Sequence, residues 1–142
     1  MGDDCIYNRD ESSEVKRLID AVEGSECAML GVRVPEDKVS GYGVIAMDES
    51  QVFERIVEKP RVDEAPSNLI NVSKYILNPT ALRAVMAHAE SSQQGEYYIT
   101  DPINTIVQQG ETVRVVPATG QYLDAGTLER WLAANEYVIR AE

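Results

Sequence analysis

Apolar residues in the first third of the chain recur with two different periods, one helical and one extended. Four apolar residues of SSEVKRLIDAVEG lie three, one and three positions apart: Val15, Leu18, Ile19 and Val22. This spacing predicts one face of an α-helix, which Ser12 or Ser13 could cap and Gly24 could end. The following apolar run, CAMLGVRV, stops at Pro35 and predicts a buried strand.

Two extended runs in the middle of the chain, YGVIAM and VFERIVE, flank the polar residues DES and predict a β-hairpin. Period-two alternation along the second run places Phe53 on one face and both Ile56 and Glu58 on the other. The run ends at two adjacent charged residues, Glu58 and Lys59, and the next apolar run, LINVSKYIL, predicts a further strand. The middle of the chain therefore contributes a small group of paired strands.

The second half of the chain is mostly helical. In NPTALRAVMAHAE, Asn78 is the predicted N-cap and Pro79 the first helical residue, and TDPINTIVQQG repeats this arrangement with Asp101 and Pro102 before ending at Gly110. A short strand in TVRVVPA, a brief extended piece in GQYLDAG and a closing helix in TLERWLAANEYVIRAE follow. These elements predict one mixed α/β domain over residues 1–142, whose sheet has hairpin and crossover connections.

The charge of the chain narrows the classes of ligand. Its 142 residues include 13 basic and 24 acidic ones, a net charge of −11, which disfavours a nucleic-acid partner because such binding depends on Lys and Arg. A phosphate-bearing ligand is then expected to be small and to bind with a metal ion. No apolar stretch approaches a membrane span, and two cysteines are too few for a disulfide scaffold, so we expect a cytoplasmic protein with no membrane association.

Acidic residues at the ends of predicted elements are the first candidates for chemistry. Asp3 and Asp4 precede a possible short strand, and Asp124 lies between an apolar pair and a small, flexible pair in YLDAG. Two carboxylates from separate segments would suit Mg²⁺, which needs one or two protein carboxylates besides phosphate and water. The alternative is that Asp3 is a terminal acid and Asp124 a turn former or helix cap, and the spacing alone leaves both interpretations open.

The adjacent pair Glu58 and Lys59 is the second candidate. Neighbouring residues on a strand point to opposite faces, so the pattern alone favours two solvated charges at the entrance to a loop. However, α/β proteins bind ligands beyond the carboxyl ends of their strands. There, a carboxylate that accepts hydrogen bonds from sugar hydroxyls, next to an ammonium group that meets a phosphate, would recognise a sugar phosphate.

Three segments together resemble a known family. YGVIAMDESQVFERIVEKPRVDEAPSNLINVSKYIL, GEYYITDPINTIV and YLDAGTLERWLAANEYVI are similar to the carboxyl-terminal half of bacterial sugar-1-phosphate nucleotidylyltransferases. The run VEKPRVDEAPSNL is most similar to the branch of that family that uses UTP and glucose 1-phosphate. The resemblance covers nearly the whole chain and implies a partial nucleotidyltransferase domain with a Rossmann-like mixed sheet.

The resemblance implies a role for four residues in binding glucose 1-phosphate. The backbone of Gly43 would approach the hexose, where a side chain would block the ligand. The carboxylate of Glu58 would bind sugar hydroxyls, and the ammonium group of Lys59 would bind the sugar phosphate. The backbone of Val72, in NVSKY, would lie along the sugar.

The resemblance further implies a magnesium site and a reaction. Asp3 and Asp124 match the two metal-binding acids of the family. Its members join glucose 1-phosphate to UTP by in-line attack on the α-phosphorus, which yields UDP-glucose and pyrophosphate. Positioning and charge neutralisation carry out most of that chemistry, so no catalytic side chain is expected beyond those that position the metal and the substrate.

One departure from the family limits these expectations. The glycine-rich G-x-G-T-R loop that holds the nucleotide phosphates is absent from this sequence. We therefore expect a fragment that lacks the amino-terminal nucleotide-binding half, does not turn over alone, and forms a homo-oligomer through uncovered strand edges and apolar surface. The alternatives are a fragment of a glucose-1-phosphate thymidylyltransferase and a non-catalytic sugar-phosphate-binding or structural module.

Overall fold

The structure is a computed structural model that describes residues 3–10, 13–22, 27–91 and 98–141. The α-helices are α1 (Glu14–Ala21), α2 (Pro79–Ser91), α3 (Thr100–Gln108) and α4 (Leu128–Ala141). The strands are β1 (Asp4–Tyr7), β2 (Cys27–Arg33), β3 (Gly43–Met47), β4 (Phe53–Glu58), β5 (Leu69–Ile76), β6 (Val113–Pro117) and β7 (Gln121–Asp124). Two short 3-10 helices cover Glu36–Gly41 and Val62–Glu64.

The described strands form two sheets. The larger sheet has five strands in the order β4-β3-β5-β2-β6, with β2 and β6 parallel and the other neighbours antiparallel. The smaller sheet pairs β1 with β7 in antiparallel register, and Asp4 lies opposite Asp124. The expected mixed α/β fold, with hairpin and crossover connections, is therefore confirmed.

Two apolar clusters lie on the two faces of the five-stranded sheet. The first packs α2 and α3 against the sheet and includes Leu69 of β5 and Ile103 of α3. The second packs α1 and the two-stranded sheet against the opposite face and includes Ile70 and Val72 of β5. The alternation of buried residues along β5 follows the strand period that its sequence predicts.

The helix ends follow their capping residues with one exception. Ser13 caps α1 by accepting a hydrogen bond from the backbone N of Lys16, whereas Ser12 and Gly24 lie outside the described residues. Asn78 caps α2 through a hydrogen bond from the backbone N of Ala81. The predicted N-cap of α3 was wrong, because this helix begins at Thr100 and places Asp101 inside its first turn, whereas the helix ends just before Gly110 as predicted. Pro102 remains in that first turn, where a missing N–H costs no hydrogen bond.

The predicted alternation along β4 was also wrong. Phe53 and Ile56 are both buried in the cluster beneath α2 and α3, although simple period-two alternation places them on opposite faces. The register explains the difference, because Ala46 pairs with Arg55 while Met47 pairs with Phe53. The intervening residue of β4 is an extra one, and such a β-bulge reverses the faces of the residues beyond it.

The closing helix α4 lies within its predicted segment, and its side chains are not buried. None of its residues is buried, and Leu128 and Ile139 are each 74% exposed.

The outer edge of β6 is partly covered, because Val52 forms a β-bridge with Arg114 beside the β3–β4 turn. Within the described ranges, no helix combines the length and the apolar character that crossing a bilayer requires.

Candidate functional site

The pairing of β1 with β7 brings together acidic residues from opposite ends of the chain. Asp4 and Asp124 are directly opposite, and Asp3 precedes the strand. A Cβ atom on Gly126 would lie 3.1 Å from both the Oδ2 of Asp3 and the Oδ1 of Asp124. The backbone N of Ala125 donates to the carbonyl of Asp3 at 2.7 Å and fixes this approach. The two acids predicted to bind metal therefore face a common point beside Gly126.

Three donors hold the carboxylate of Asp124. Its Oδ1 accepts from the backbone N of Gly126 at 2.8 Å, and its Oδ2 accepts from Arg130 Nη1 at 2.6 Å and from the hydroxyl of Tyr42 at 3.3 Å. Burial, together with the nearby charge of Asp124, raises the pKa of Tyr42 above its ordinary value, so this hydroxyl stays protonated and can donate. The orientation of Asp124 is thus set from three separate segments.

Asp4 has a different environment from Asp3. Its Oδ1 accepts a hydrogen bond from the hydroxyl of Tyr122 on the paired strand. Burial and this hydrogen bond both raise the pKa of Tyr122 well above its usual range, and the tyrosine therefore remains a donor. The geometry places Asp3, not Asp4, next to Asp124 at the point beside Gly126.

Glu58 and Lys59 lie at the end of the β3–β4 hairpin, where the regular strand conformation stops. Gly43 pairs with Glu58, and the Oε2 of Glu58 lies 2.9 Å from the position that a Cβ on Gly43 would occupy. Lys59 adopts a left-handed backbone with a φ of 44°, and its backbone N donates to the carbonyl of Tyr42 at 3.0 Å. This conformation ends the strand and breaks the alternation that would separate the two side chains.

Val72 lies where β5 loses its regular register against β2. Its side chain is buried in the core, so any role in binding falls to its backbone. Ser73 has a left-handed φ of 55°, an uncommon conformation for a residue other than glycine. The ammonium group of Lys74 donates to the carbonyls of Val72 at 3.3 Å and Asp4 at 2.9 Å. The irregular part of β5 is therefore tied to β1.

Two residues connect these groups into one region. Tyr42 pairs with Lys59 through its backbone and reaches Asp124 with its hydroxyl, and Lys74 links Val72 to the start of β1. The sequence patterns contain no signal for the contact between Arg130 and Asp124, because it depends on how α4 packs after β7. The position of Tyr42, directly before Gly43, is the only hint that it belongs to the site.

The carboxylates beside Gly126 can be compared with the ligands that Mg²⁺ requires. In the part of the chain that the structure describes, no group of three or more His, Cys, Asp and Glu side chains could hold an ion. Mg²⁺ does not require such a group, since one or two carboxylates with phosphate oxygens and water complete its coordination. The hard oxygen atoms of Asp3 and Asp124, which converge beside Gly126, fit that requirement.

Comparison with known proteins establishes the class. The profile of the nucleotidyl transferase family matches residues 1–140. The chain therefore belongs to the nucleotidyl transferase family, as its motifs indicate.

The names of individual relatives are more specific than the description of the family. The chain is 35% identical to a UTP–glucose-1-phosphate uridylyltransferase of Mycoplasma pneumoniae, covering 96% of this chain and 48% of that protein. It is 30% identical to the Pseudomonas aeruginosa protein of that name, covering 96% of this chain and 50% of the relative. A solved UDP-glucose pyrophosphorylase complexed with UDP-glucose matches with a TM-score of 0.81 at 25% identity, covering 100% of this chain and 55% of the other. The chain thus spans about half the length of these curated relatives.

Proposed function

We propose that the chain is the sugar-phosphate-binding and metal-binding part of a UTP–glucose-1-phosphate uridylyltransferase. The observation that carries this proposal is the continuity of the site: Tyr42 joins the hairpin end that bears Glu58 and Lys59 to Asp124. The names of the relatives support the choice of UTP and glucose 1-phosphate as substrates. Because the chain spans only about half of those relatives, we propose that it binds the sugar phosphate but does not turn over alone.

In this proposal, the hairpin end recognises glucose 1-phosphate by complementary chemistry. The carboxylate of Glu58 lies over Gly43, where it can accept hydrogen bonds from hexose hydroxyls. Lys59 is exposed and follows directly, so its ammonium group is available to the phosphate. Val72 contributes backbone atoms along the sugar, with its side chain anchored in the core.

Asp3 and Asp124 would hold Mg²⁺ beside Gly126. When bound, the ion would neutralise phosphate charge and so favour attack by the sugar phosphate on the α-phosphorus of UTP, with release of pyrophosphate. Tyr42 and the backbone N of Gly126 keep the Asp124 carboxylate oriented for this role. The contribution of this chain to catalysis is therefore positioning and charge, which are the main requirements of phosphoryl transfer.

Titration of the chain with glucose 1-phosphate in the presence of Mg²⁺, followed by isothermal calorimetry, tests the proposal. Lys59→Ala is expected to weaken binding about tenfold, because an ammonium–phosphate contact is lost. Lys38→Ala, which removes an exposed lysine paired only loosely with Asp37 at 3.6 Å, is the matched control and should bind normally. Equal affinities for the two variants would contradict the proposed role of Lys59.

The calorimetric titration and a separate turnover assay distinguish the proposal from its alternatives. No binding of glucose 1-phosphate or UDP-glucose by the unmodified chain would favour a purely structural module. Turnover of UTP and glucose 1-phosphate by the chain alone, measured as pyrophosphate release with Mg²⁺, would refute the claim that it is catalytically incomplete.

Gly126→Ala is expected to weaken divalent cation binding about tenfold. The added methyl group would lie 3.1 Å from the facing oxygens of Asp3 and Asp124, so the carboxylates would have to separate. Mn²⁺ binding, measured by electron paramagnetic resonance of the unbound ion, reports this change directly. Gly41→Ala is the control, because a Cβ there meets no atom within 4 Å. A Gly126→Ala variant with normal Mn²⁺ affinity would argue against the metal site.

We also propose that the chain self-associates through α4. Three apolar side chains share one face of this helix at helical spacing and are exposed: Leu128, Trp131 and Leu132. Replacing both leucines with lysine is expected to convert a dimer at micromolar concentration into a monomer in sedimentation experiments. Leu82→Lys, at a comparably exposed position of α2, should leave the dimer intact. A monomeric unmodified chain at that concentration would contradict this proposal.

A further inference from the structure

Arg130 makes the shortest of the three contacts to the carboxylate of Asp124. Its Nη1 lies 2.6 Å from Oδ2, and the two side chains differ in environment, since Arg130 is 57% exposed and Asp124 only 17%. The arginine extends from the first turn of α4. The acid that we assign to Mg²⁺ therefore already has a cationic partner.

This ion pair and a bound divalent cation would compete for one carboxylate. Arg130 holds Oδ2, whereas Oδ1 faces the point beside Gly126. The two positive charges would then lie on either side of one carboxylate and repel each other. Arg130 is not needed to orient the acid, because Tyr42 and the backbone N of Gly126 donate to it independently. The main effect of Arg130 on a cation at this site is therefore electrostatic opposition and not support.

A phosphate group would change this balance. A guanidinium group binds phosphate through two parallel hydrogen bonds, and it makes such contacts at least as readily as contacts to a carboxylate. The exposure of Arg130 and its long side chain allow it to leave Asp124 for a phosphate that arrives nearby. The exchange would remove the opposing positive charge from Asp124 at the moment when phosphate oxygens are also available as ligands of the cation.

We propose that Arg130 couples cation binding to phosphate binding by exchanging its partner from Asp124 to the phosphate of the sugar substrate. This inference rests on the proposed function, because it assumes that Asp124 binds the cation. In the chain without substrate, Arg130 neutralises Asp124 and opposes the cation. Once the phosphate has drawn Arg130 away, the cation binds more tightly, and by linkage the cation strengthens phosphate binding by the same factor.

The test is a Mn²⁺ titration of the full chain, with the unbound ion measured by electron paramagnetic resonance. Without glucose 1-phosphate, Arg130→Gln is expected to bind Mn²⁺ about tenfold more tightly than the unmodified chain. Saturating glucose 1-phosphate should tighten Mn²⁺ binding of the unmodified chain severalfold and that of Arg130→Gln hardly at all. Arg140→Gln, which removes an exposed arginine paired with Glu136 on the same helix, is the control and should match the unmodified chain.

Arg130→Lys keeps the positive charge, and its Mn²⁺ affinity should stay near that of the unmodified chain. Unchanged or weaker Mn²⁺ binding by Arg130→Gln would overturn the coupling, whereas the proposed function would stand if Lys59→Ala still bound glucose 1-phosphate more weakly than the unmodified chain. An affinity of Arg130→Lys as high as that of Arg130→Gln would overturn the electrostatic basis of the inference. Failure of every variant to bind Mn²⁺ would overturn both this inference and the proposed metal site.

Discussion

Glu14→Ala is expected to lower the free energy of unfolding by about 3 kcal/mol, because it removes a buried, hydrogen-bonded carboxylate. Glu14 is only 8% exposed although it is charged. Its Oε1 accepts from the backbone N atoms of Thr119 and Gly120, each at 2.9 Å, and its Oε2 accepts from Arg17 Nη1 at 2.9 Å. The carboxylate therefore joins the start of α1 to the β6–β7 connection, and alanine would leave these donors without their partner.

The same contacts predict how the effect depends on pH. Burial alone would raise the pKa of Glu14, but the hydrogen bonds from Gly120 and Thr119 outweigh it and lower the pKa below its ordinary value. A carboxyl group with a lowered pKa in the folded state contributes stability above its unfolded pKa, near 4.3, and loses that contribution as the pH falls through the folded value. The stability difference between the unmodified chain and Glu14→Ala should therefore be full at pH 7 and shrink in acid below about pH 4.

Urea denaturation followed by circular dichroism at several pH values measures both quantities. Glu136→Ala is the matched control, because Glu136 also pairs with an arginine, at 3.5 Å, but both side chains are largely exposed. An exposed pair of this kind contributes less than about 1 kcal/mol. Equal losses for Glu14→Ala and Glu136→Ala, or a loss for Glu14→Ala that is independent of pH, would contradict the structural role of Glu14.

The sequence predicts the elements of this fold better than it predicts how they pack. The helical spacing in SSEVKRLIDAVEG, the continuous apolar run of β2 and the strand period of β5 are local patterns, and the structure has a helix and two strands at these places. The packing of α1 does not follow its apolar spacing, because Leu18 is buried whereas Val15 and Ile19 are exposed. The bulge in β4 depends instead on its register with β3, which brings Phe53 and Ile56 into one cluster. The exposure of α4 likewise depends on tertiary packing, which the apolar spacing within the helix does not specify.

In the candidate site, too, the sequence indicates single residues but not the contacts between them. Glu58 and Lys59 stand out in the sequence, but the left-handed backbone of Lys59, on which their proposed joint role depends, cannot be predicted from an alternating pattern. Asp3 and Asp124 are distant in sequence, so only the β1–β7 pairing or a family resemblance brings them together. The contact of Arg130 with Asp124 arises from tertiary packing and has no counterpart in the motifs.

Gly43→Ala is expected to weaken binding of glucose 1-phosphate about 100-fold, the largest functional effect that we predict for a single methyl group. The new Cβ would lie 2.9 Å from the Oε2 of Glu58 and 3.0 Å from the Cγ2 of Ile56, so the carboxylate would have to leave its position over the strand. Hydrogen bonds to a charged group contribute about 1.5–3 kcal/mol each, and about 1.4 kcal/mol corresponds to a tenfold change in affinity. Displacement of two sugar contacts therefore accounts for the expected loss.

Calorimetric titration of Gly43→Ala, Gly41→Ala and Glu58→Ala with glucose 1-phosphate tests this mechanism. Gly41 is the matched control, since a Cβ there has open space, and Gly41→Ala should bind normally. If Gly43→Ala acts by displacing Glu58, then adding Gly43→Ala to Glu58→Ala should cost much less than it costs alone, because the two changes remove the same contacts. Full additivity of the two substitutions would mean that the methyl group blocks the sugar directly, and normal binding by Gly43→Ala would place the hexose elsewhere.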